Sequence, residues 1–433
     1  MTFPLTVIFV FLVFWRPQEW LVTWMYGWPL LDVIFYASML SMMMEAGQGQ
    51  ILFKRSPAIA LAIGMWVATI MSHVAHGYFQ GLLNTIPETI KICFFLVLLL
   101  VVLDRLQRLR TIVLVAILSA IIMAVHAELQ QHTGFGFAGQ EPMWVFKDDL
   151  GIWEARSQFF GLFSDPNDLA QYLAAAIPLI FAFPRKLSPL NLIICVLLTW
   201  LLVDALFSTH SRGGQVALMS VVACMIFIKL PVKWIPYVGA ITMIGVLVLC
   251  KLKGSALLDM SARERLEFWG LANRQFKQHP IFGLGYGMFW QVTDQSRAAH
   301  NAFVLCYTEL GLFGYWFWYT VVQLGIIGCW RTIAAFPRPR NPSQRYLKRL
   351  AGLSIATMVG FLAGSYFLSR AYVFPLFFLV ALLNAIPLIA LRMLPEGHPP
   401  LIHVKKDVLF AGTVGTVISI LYIYYSIVIL NAA

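Results

Sequence analysis

The chain has 433 residues, of which 60% are hydrophobic and only 12% are charged, and its mean hydropathy is +0.77. A water-soluble domain cannot bury so much apolar surface, so the composition excludes that class and predicts a membrane protein with several spanning segments. The spans should be α-helices, because a lipid-exposed backbone must satisfy its own hydrogen bonds and the apolar runs are too long for barrel strands.

Thirteen apolar runs follow one another along the chain, the first of them short for a full span. They predict an all-α polytopic membrane protein with about 12–13 transmembrane helices. The runs fall near residues 2–15, 27–45, 57–75, 87–104, 109–126, 166–184, 189–207, 213–230, 234–251, 301–330, 350–368, 371–391 and 407–428. We divide the chain into N-terminal helices (1–126), a first outer loop (127–165), central helices (166–251), a larger second outer loop (252–299) and C-terminal helices (300–433).

The net charge of +11 comes from an uneven distribution of basic residues. With the N-terminus taken as cytoplasmic, alternate and mostly short connections hold 18 of the 31 Lys and Arg residues, all on one side. This is the positive-inside pattern, and it predicts that the loops 127–165 and 252–299 face the outside. The basic residues are therefore a topology signal. No nucleic-acid partner is expected, because no binding motif or stacking stripe accompanies them.

The second outer loop is predicted to contain an amphipathic helix. Leu266, Trp269, Asn273 and Phe276 recur at helical spacing, and Pro280 follows. We expect a helix of about five turns at the outer membrane–water interface. The glycines of the next stretch, HPIFGLGYGMF, are more typical of a tight turn that returns the chain to the membrane than of a nucleotide site. No strand precedes them and no lysine follows.

Several arginines stand at the outer face, against the positive-inside rule. Arg212, in STHSRGG, and Arg370, in LSRAY, occupy short connections that normally avoid them. Arg263 and Arg265 lie in the predicted helix, where Arg265 shares a face with Trp269. Converging guanidinium groups suit a diphosphate, which arginine binds in bidentate fashion. The alternative, that these side chains reach outer-leaflet headgroups, stays open from the residues alone.

A helix start at the outer face is predicted in GLFSDPNDLA. Asp165 or Ser164 should cap a helix whose first residue is Pro166. Asn167 follows on the first turn, where the free N–H groups of a helix N-terminus can also meet an anion. Capping alone explains the Asp-Pro-Asn sequence, and the anion site is compatible with it.

The stretch AHNAFVLCYTELG places His300 and Asn301 at the predicted start of a membrane helix, with Glu309 inside it. Histidine titrates near neutral pH, so His300 can serve as a general base. Glu309 is costly in lipid and should face a polar interior, where it either orients a base or pairs with an arginine. No carboxylate pair or histidine cluster has metal-site spacing, so we expect neither a metal nor another cofactor.

Five short motifs occur in a fixed order: G-x-F-x-D-P-N-x-L-A (161–170), S-R-G-G (211–214), R-L-E-x-W (265–269), H-P-I-x-G-x-G (279–285) and H-N-x-x-x…E-x-G (300–311). Together they resemble the bacterial O-antigen ligase/polymerase family, membrane enzymes that transfer glycans from undecaprenyl diphosphate. The resemblance covers roughly 160–314 and implies an inverting, metal-independent transfer. It implies that His300 is the catalytic base and that Arg212 and Arg265 engage the diphosphate, with Arg263 as the alternative to Arg265.

The resemblance implies a multi-pass enzyme of the bacterial inner membrane with its active site facing the periplasm. Its partners would be an undecaprenyl-diphosphate-linked glycan, a glycan or lipid A core acceptor, and the lipid bilayer. To the implied residues we add Arg370 as a diphosphate ligand and Asn167, Asn301 and Glu309 in support. A ligase acting on lipid A core is preferred over a repeat-unit polymerase or a protein O-oligosaccharyltransferase. The preference is slight, because the three enzymes differ in the acceptor pocket and the motifs do not encode that pocket.

A glycolipid flippase or transporter is the alternative from another class. It would place helix breaks and charges near the bilayer midplane. The main candidates there are Lys91, Glu88 and His73, with Asp204 nearer the end of a run, and Pro178 and Pro387 are the expected breaks. The chemically useful residues cluster instead at the outer face, which favours the transferase.

Overall fold

The computed structural model describes residues 1–49, 56–147, 151–184, 186, 188–228, 260–293 and 298–432. It is 77% helical with almost no strand, which confirms the all-α prediction. The elements in chain order are α1 (Thr2–Trp15), α2 (Pro17–Trp20), α3 (Leu30–Gly47), α4 (Pro57–Val74), α5 (Phe79–Val102), α6 (Leu106–Thr133), β1 (Met143–Lys147), β2 (Ile152–Arg156), α7 (Pro166–Ala182), α8 (Pro189–Ser208), α9 (Arg212–Phe227), α10 (Met260–Gln278), α11 (Ala302–Ala335), α12 (Pro342–Ser365), α13 (Phe374–Leu391) and α14 (Gly412–Ala432), the last preceded by a π-helix (Val404–Ala411).

Nine helical segments within the described ranges are long and apolar enough to cross a membrane, and α1 and α9 are shorter apolar helices. With α7, twelve of the thirteen predicted runs are therefore helical, while the run predicted at 234–251 lies outside the described residues. Helices α7, α9 and α12 pack against one another, and α11 packs against α4, α12, α13 and α14. Small residues permit the close approach, since Gly214 faces Ala170 and Gly360 faces Val221.

The two ends of the helix bundle carry different residues. At one end, basic side chains bond residues of other segments of the chain. Arg392 donates to the Asp104 carbonyl at 2.8 Å, and Arg331 forms an ion pair with Asp407 at 2.5 Å. At the other end, the motif residues meet, as where Ser211 Oγ donates to Asn167 Oδ1 at 2.7 Å. The assignment of these ends to the cytoplasm and the outside rests on the charge pattern and stays a prediction.

The predicted first outer loop (127–165) contains a β-hairpin that was not predicted from the sequence. Strands β1 and β2 pair antiparallel, with Met143 opposite Arg156. Phe146 and Trp153 face each other across the pair with ring centroids 5.2 Å apart, a contact that stabilises hairpins. The hairpin returns Arg156 to the bundle, where its Nε donates to the Thr209 carbonyl at 2.8 Å.

The run predicted as one helix at 301–330 is interrupted. Gly311, with φ 63° and ψ −167°, breaks the ladder of α11 between its second and third turns. The loop 279–293 fills the break: Leu312 and Phe313 donate their N–H groups to the carbonyls of Pro280 and Ile281 at 2.8 and 3.0 Å. The backbone groups that the break frees therefore find partners, as burial requires.

The glycines of the 279–293 loop do more than make a turn. The N–H groups of residues 284 and 285 donate to the carbonyls of residues 308 and 309 at 2.9 and 3.0 Å, just before the break. A Cβ atom on Gly283 would lie 2.3 Å from the Glu309 carbonyl oxygen, and one on Gly311 would lie 2.2 Å from that of Ile281. Glycine is thus required on both sides of this contact.

Candidate active site

His300 lies directly before the first turn of α11, in a left-handed conformation with φ 49°. Asn301 caps the helix, because its side-chain oxygen accepts the N–H groups of Phe303 and Val304 at 3.0 and 3.1 Å. The His300 N–H donates to Ser369 Oγ at 2.7 Å. A non-glycine residue in this conformation costs about 1–2 kcal/mol. The cap and the serine bond hold a half-buried histidine in a strained position, as is frequent at functional sites.

Helix α10 fixes the residue before His300. The indole N–H of Trp269 donates to the Ala299 carbonyl at 2.7 Å, and both residues are buried. Tyr366 packs against the Trp269 ring at 5.6 Å and against Phe303 at 6.2 Å between ring centroids. The aromatic contacts therefore join α10, the start of α11 and the end of α12 around His300.

The turn between α12 and α13, which we call the 366–370 turn, connects the separate parts of the site. Its Ser369 holds the His300 backbone, and its Phe367 lies 3.4 Å from where a Cβ would stand on Gly213, at the start of α9. Its last residue, Arg370, reaches α7. Of this turn, only Arg370 was predicted as a site residue. A single serine such as Ser369 gives no sign of a functional role in the sequence until its bonding partner is known.

Arg370 forms an ion pair with Asp168. Its Nε donates to Asp168 Oδ1 at 2.6 Å and its Nη2 bonds the other carboxylate oxygen. Burial lowers the pKa of Arg370, but its bonds to Asp168 outweigh this and raise the pKa above its ordinary value. A cavity of about 260 Å³ lies beside the pair and is also lined by Ser164 and Gln171. Asp168 was not predicted as a site residue, although it belongs to the D-P-N motif region.

Arg212 is the first residue of α9 and its side chain is exposed. The preceding Ser211 caps the helix by accepting the Gly214 N–H at 3.1 Å. Ser211 also donates to Asn167 Oδ1 at 2.7 Å. The predicted supporting residue Asn167 therefore ties the start of α7 to the start of α9, beside Arg212. The N–H of Asn167 donates to Asp165 Oδ1 at 2.8 Å, which confirms Asp165 as the cap.

Arg156 belongs to this cluster and was missed as a site residue. Its Nη2 donates to Asn167 Oδ1 at 3.2 Å, in addition to the bond of its Nε to Thr209. Burial lowers the pKa of Arg156, and the carboxylates of Asp165 and Glu154 act in the opposite direction. The sequence showed Arg156 only as one charge in a long outer loop, and the unpredicted hairpin is what brings it here.

Helix α10 confirms the predicted helix of about five turns, with Trp269, Asn273 and Phe276 buried. Arg265 is half-buried and lies one turn before Trp269 on the same face, so it shares the face that contacts the residue before His300. Arg263 also lies in α10, but its side chain is outside the described part of the structure.

Glu309 is 3% exposed and accepts the Phe289 N–H at 3.3 Å. The carboxylate thereby holds the 279–293 loop against α11. Its two predicted roles, orienting a base or pairing with an arginine, stay predictions. Burial, then the nearby carboxylates of Glu309 and Glu88, raise the pKa of Tyr286 in that loop.

Among the described residues, no group of three or more His, Cys, Asp or Glu side chains is placed to hold a metal ion. No curated protein matches the chain. Residues 197–319 match the family model described as O-antigen ligase. That range contains the S-R-G-G, R-L-E-x-W, H-P-I-x-G-x-G and H-N motifs, and it supports a membrane glycan-transfer enzyme of the ligase or polymerase type. The resemblance to the O-antigen ligase/polymerase family is thereby confirmed.

Proposed function

We propose that the protein transfers a glycan from a polyprenyl-diphosphate donor to an acceptor hydroxyl at the end of the bundle where the motifs meet. The observation that carries this proposal is the position of His300. It is a titratable residue at a strained helix start, its backbone fixed by Ser369, and the turn that holds it also contacts the start of α9, where Arg212 lies. Strain of this kind persists only where the surroundings maintain it.

The chemistry needs one base and a way to hold a diphosphate. His300 takes the proton of the acceptor hydroxyl while the hydroxyl oxygen attacks the anomeric carbon. The bond from that carbon to the diphosphate oxygen breaks on the opposite side, so the configuration inverts and polyprenyl diphosphate leaves as an anion. Arg212 and Arg265 stabilise the charge that develops on the leaving group. No metal is required for these steps.

We assign Arg370 a revised role. Since its guanidinium already bonds both oxygens of Asp168, it has less capacity for a diphosphate than a freely placed arginine. It serves instead to fix the 366–370 turn and thereby Ser369 and His300. Ser164, Gln171 and the Asp168–Arg370 pair line the adjacent cavity, and these groups suit the hydroxyls of a sugar.

The transporter alternative receives less support. Pro178 and Pro387 lie inside continuous helices, and Lys91 is paired with Asp32 at 2.8 Å. The break at Gly311 is filled by backbone of the same chain. Among acceptors we retain lipid A core first, with a repeat-unit polymerase and a protein O-oligosaccharyltransferase as alternatives that share the same chemistry.

The test is transfer in proteoliposomes that contain the purified protein, undecaprenyl-diphosphate-linked glycan and EDTA. Three acceptors are offered in turn: lipid A core, a second glycan donor and a hydroxyl-bearing peptide. Glycosylated lipid A core is expected, whereas lengthened polyprenyl glycan would identify a polymerase and glycosylated peptide a protein-directed enzyme. Glycolipid that crosses the bilayer without any product would overturn the transferase in favour of the transporter.

A further inference from the structure

Two histidines outside the proposed catalytic site meet at the same end of the bundle. His76 follows the end of α4, and His279 follows the end of α10. The distance from His76 Nε2 to His279 Nδ1 is 3.1 Å, and the ring centroids are 4.8 Å apart at an interplanar angle of 64°. The rings therefore meet edge to face, with one nitrogen atom of each close to the other, rather than stacking face to face.

The other nitrogen of His76 has its own partner. His76 Nδ1 lies 3.0 Å from the Ser72 carbonyl oxygen, so this nitrogen carries the proton and Nε2 presents a lone pair. A ring nitrogen that is fixed in this way by a backbone carbonyl is the usual arrangement for a histidine that binds a metal.

The distance between the two nitrogens also fits a shared ion. Two histidine nitrogens bound to one tetrahedral zinc ion, each at about 2.0–2.1 Å, stand about 3.3 Å apart. The observed 3.1 Å lies close to that separation. A direct hydrogen bond between the rings has the same spacing, so the two arrangements interconvert with little movement of either helix end.

We propose that His76 and His279 form a two-histidine site for a divalent transition-metal ion such as Zn²⁺, with water completing the coordination. Imidazole nitrogen suits this class of ion better than Mg²⁺ or Ca²⁺, which prefer oxygen ligands. The ion would clamp the end of α4 to the loop that fills the break at Gly311. It takes no part in glycan transfer, so the proposal stands whether or not the proposed function is correct.

The test uses full-length protein in detergent without a polyhistidine tag. Thermal unfolding is followed while Zn²⁺, and separately Mg²⁺, is titrated after removal of metal with EDTA. The account predicts a saturable rise in the unfolding midpoint with Zn²⁺, at one ion per chain, and none with Mg²⁺. Copper(II) bound at the site should show nitrogen ligation in its electron paramagnetic resonance spectrum.

The matched variants are His76→Gln and His279→Gln, because glutamine retains a hydrogen bond to the remaining ring and is a poor metal ligand. Both should abolish the rise with Zn²⁺ while the midpoint in EDTA changes little. His398→Gln, at an exposed histidine elsewhere, should leave the rise intact. The absence of any Zn²⁺ effect in the wild type, or an equal effect in the two glutamine variants, would overturn the site.

Discussion

The starts of α9 and α11 have the same local structure in different surroundings. In each, a histidine in the left-handed conformation precedes the residue whose side chain caps the helix: His210 (φ 50°) precedes Ser211 at α9, and His300 (φ 49°) precedes Asn301 at α11. His210 is exposed and lies 3.5 Å from a carboxylate oxygen of Glu154. His300 is half-buried, and its backbone is bonded to Ser369.

This difference separates a strained helix start from the one that we propose to be catalytic. The conformation alone is not the signal, since both histidines adopt it. At α9 the group we propose to be useful is Arg212, two residues after His210, which the helix start presents at the surface. At α11 we propose that it is the histidine itself, whose backbone is bonded to the 366–370 turn and whose sequence neighbours Ala299 and Asn301 are buried. We therefore interpret α9 as an anion-binding start and α11 as the start that carries the base.

The largest effect should come from His300→Gly. Glycine adopts a φ of 49° without strain, so the fold should be kept and the thermal unfolding midpoint unchanged or slightly higher. Removal of a general base should lower the transfer rate by about 10²–10⁴-fold. His210→Gly makes the same backbone change at the other helix start, and its transfer rate should stay within a few-fold of the wild type. Equal losses in both variants would contradict the comparison.

Arg370→Ala should have the next largest effect, on stability. It leaves the carboxylate of Asp168, only 6% exposed, without its partner. Loss of one member of a buried pair costs about 3–5 kcal/mol, and since the Arg370 side chain is 38% exposed we expect the lower end, about 3 kcal/mol. Denaturant unfolding in detergent measures this. The double variant with Asp168→Asn should recover part of the loss, and no recovery would argue against the pair as the cause.

Gly283→Ala and Gly287→Ala test how tightly the 279–293 loop packs against the break in α11. The two glycines have nearly equal φ, 70° and 68°, but only Gly283 faces backbone, with nothing within 4 Å of a Cβ on Gly287. Gly287→Ala should cost about 1 kcal/mol of unfolding free energy from the backbone conformation alone. Gly283→Ala should cost about 2–3 kcal/mol because the loop must also move away from α11. Similar unfolding midpoints for the two variants would show that the contact is not tight.

The smallest effect is expected for Arg212→Lys. The charge is kept, but a lysine cannot bond a diphosphate in bidentate fashion. Because Arg212 is exposed and its interactions are screened, we expect about a tenfold loss of transfer and no change in stability. Arg274→Lys, at an exposed arginine of α10, should leave transfer unchanged. An unchanged Arg212→Lys enzyme would favour lipid headgroups as the partner of this side chain.

The sequence predicted the parts of this site better than their connections. Apolar runs located the helices, the cap of α7 was one of the two predicted residues, and the spacing of Trp269, Asn273 and Phe276 predicted the buried face of α10. The Arg370–Asp168 pair joins residues 202 positions apart, which no local pattern encodes. The break at Gly311 was missed for the same reason, since the loop that compensates for it comes from another part of the chain.

Chemical rescue of the His300→Gly enzyme measures whether the imidazole ring of His300 is the base. The variant is assayed for glycan transfer in proteoliposomes with and without added imidazole, alongside His210→Gly and the wild type. If His300 is the base, the variant should be inactive alone and should regain part of its activity as neutral imidazole fills the vacated space, while the other two enzymes do not respond. Full activity of the folded variant without imidazole, or no response to imidazole at any concentration, would contradict a base at this helix start.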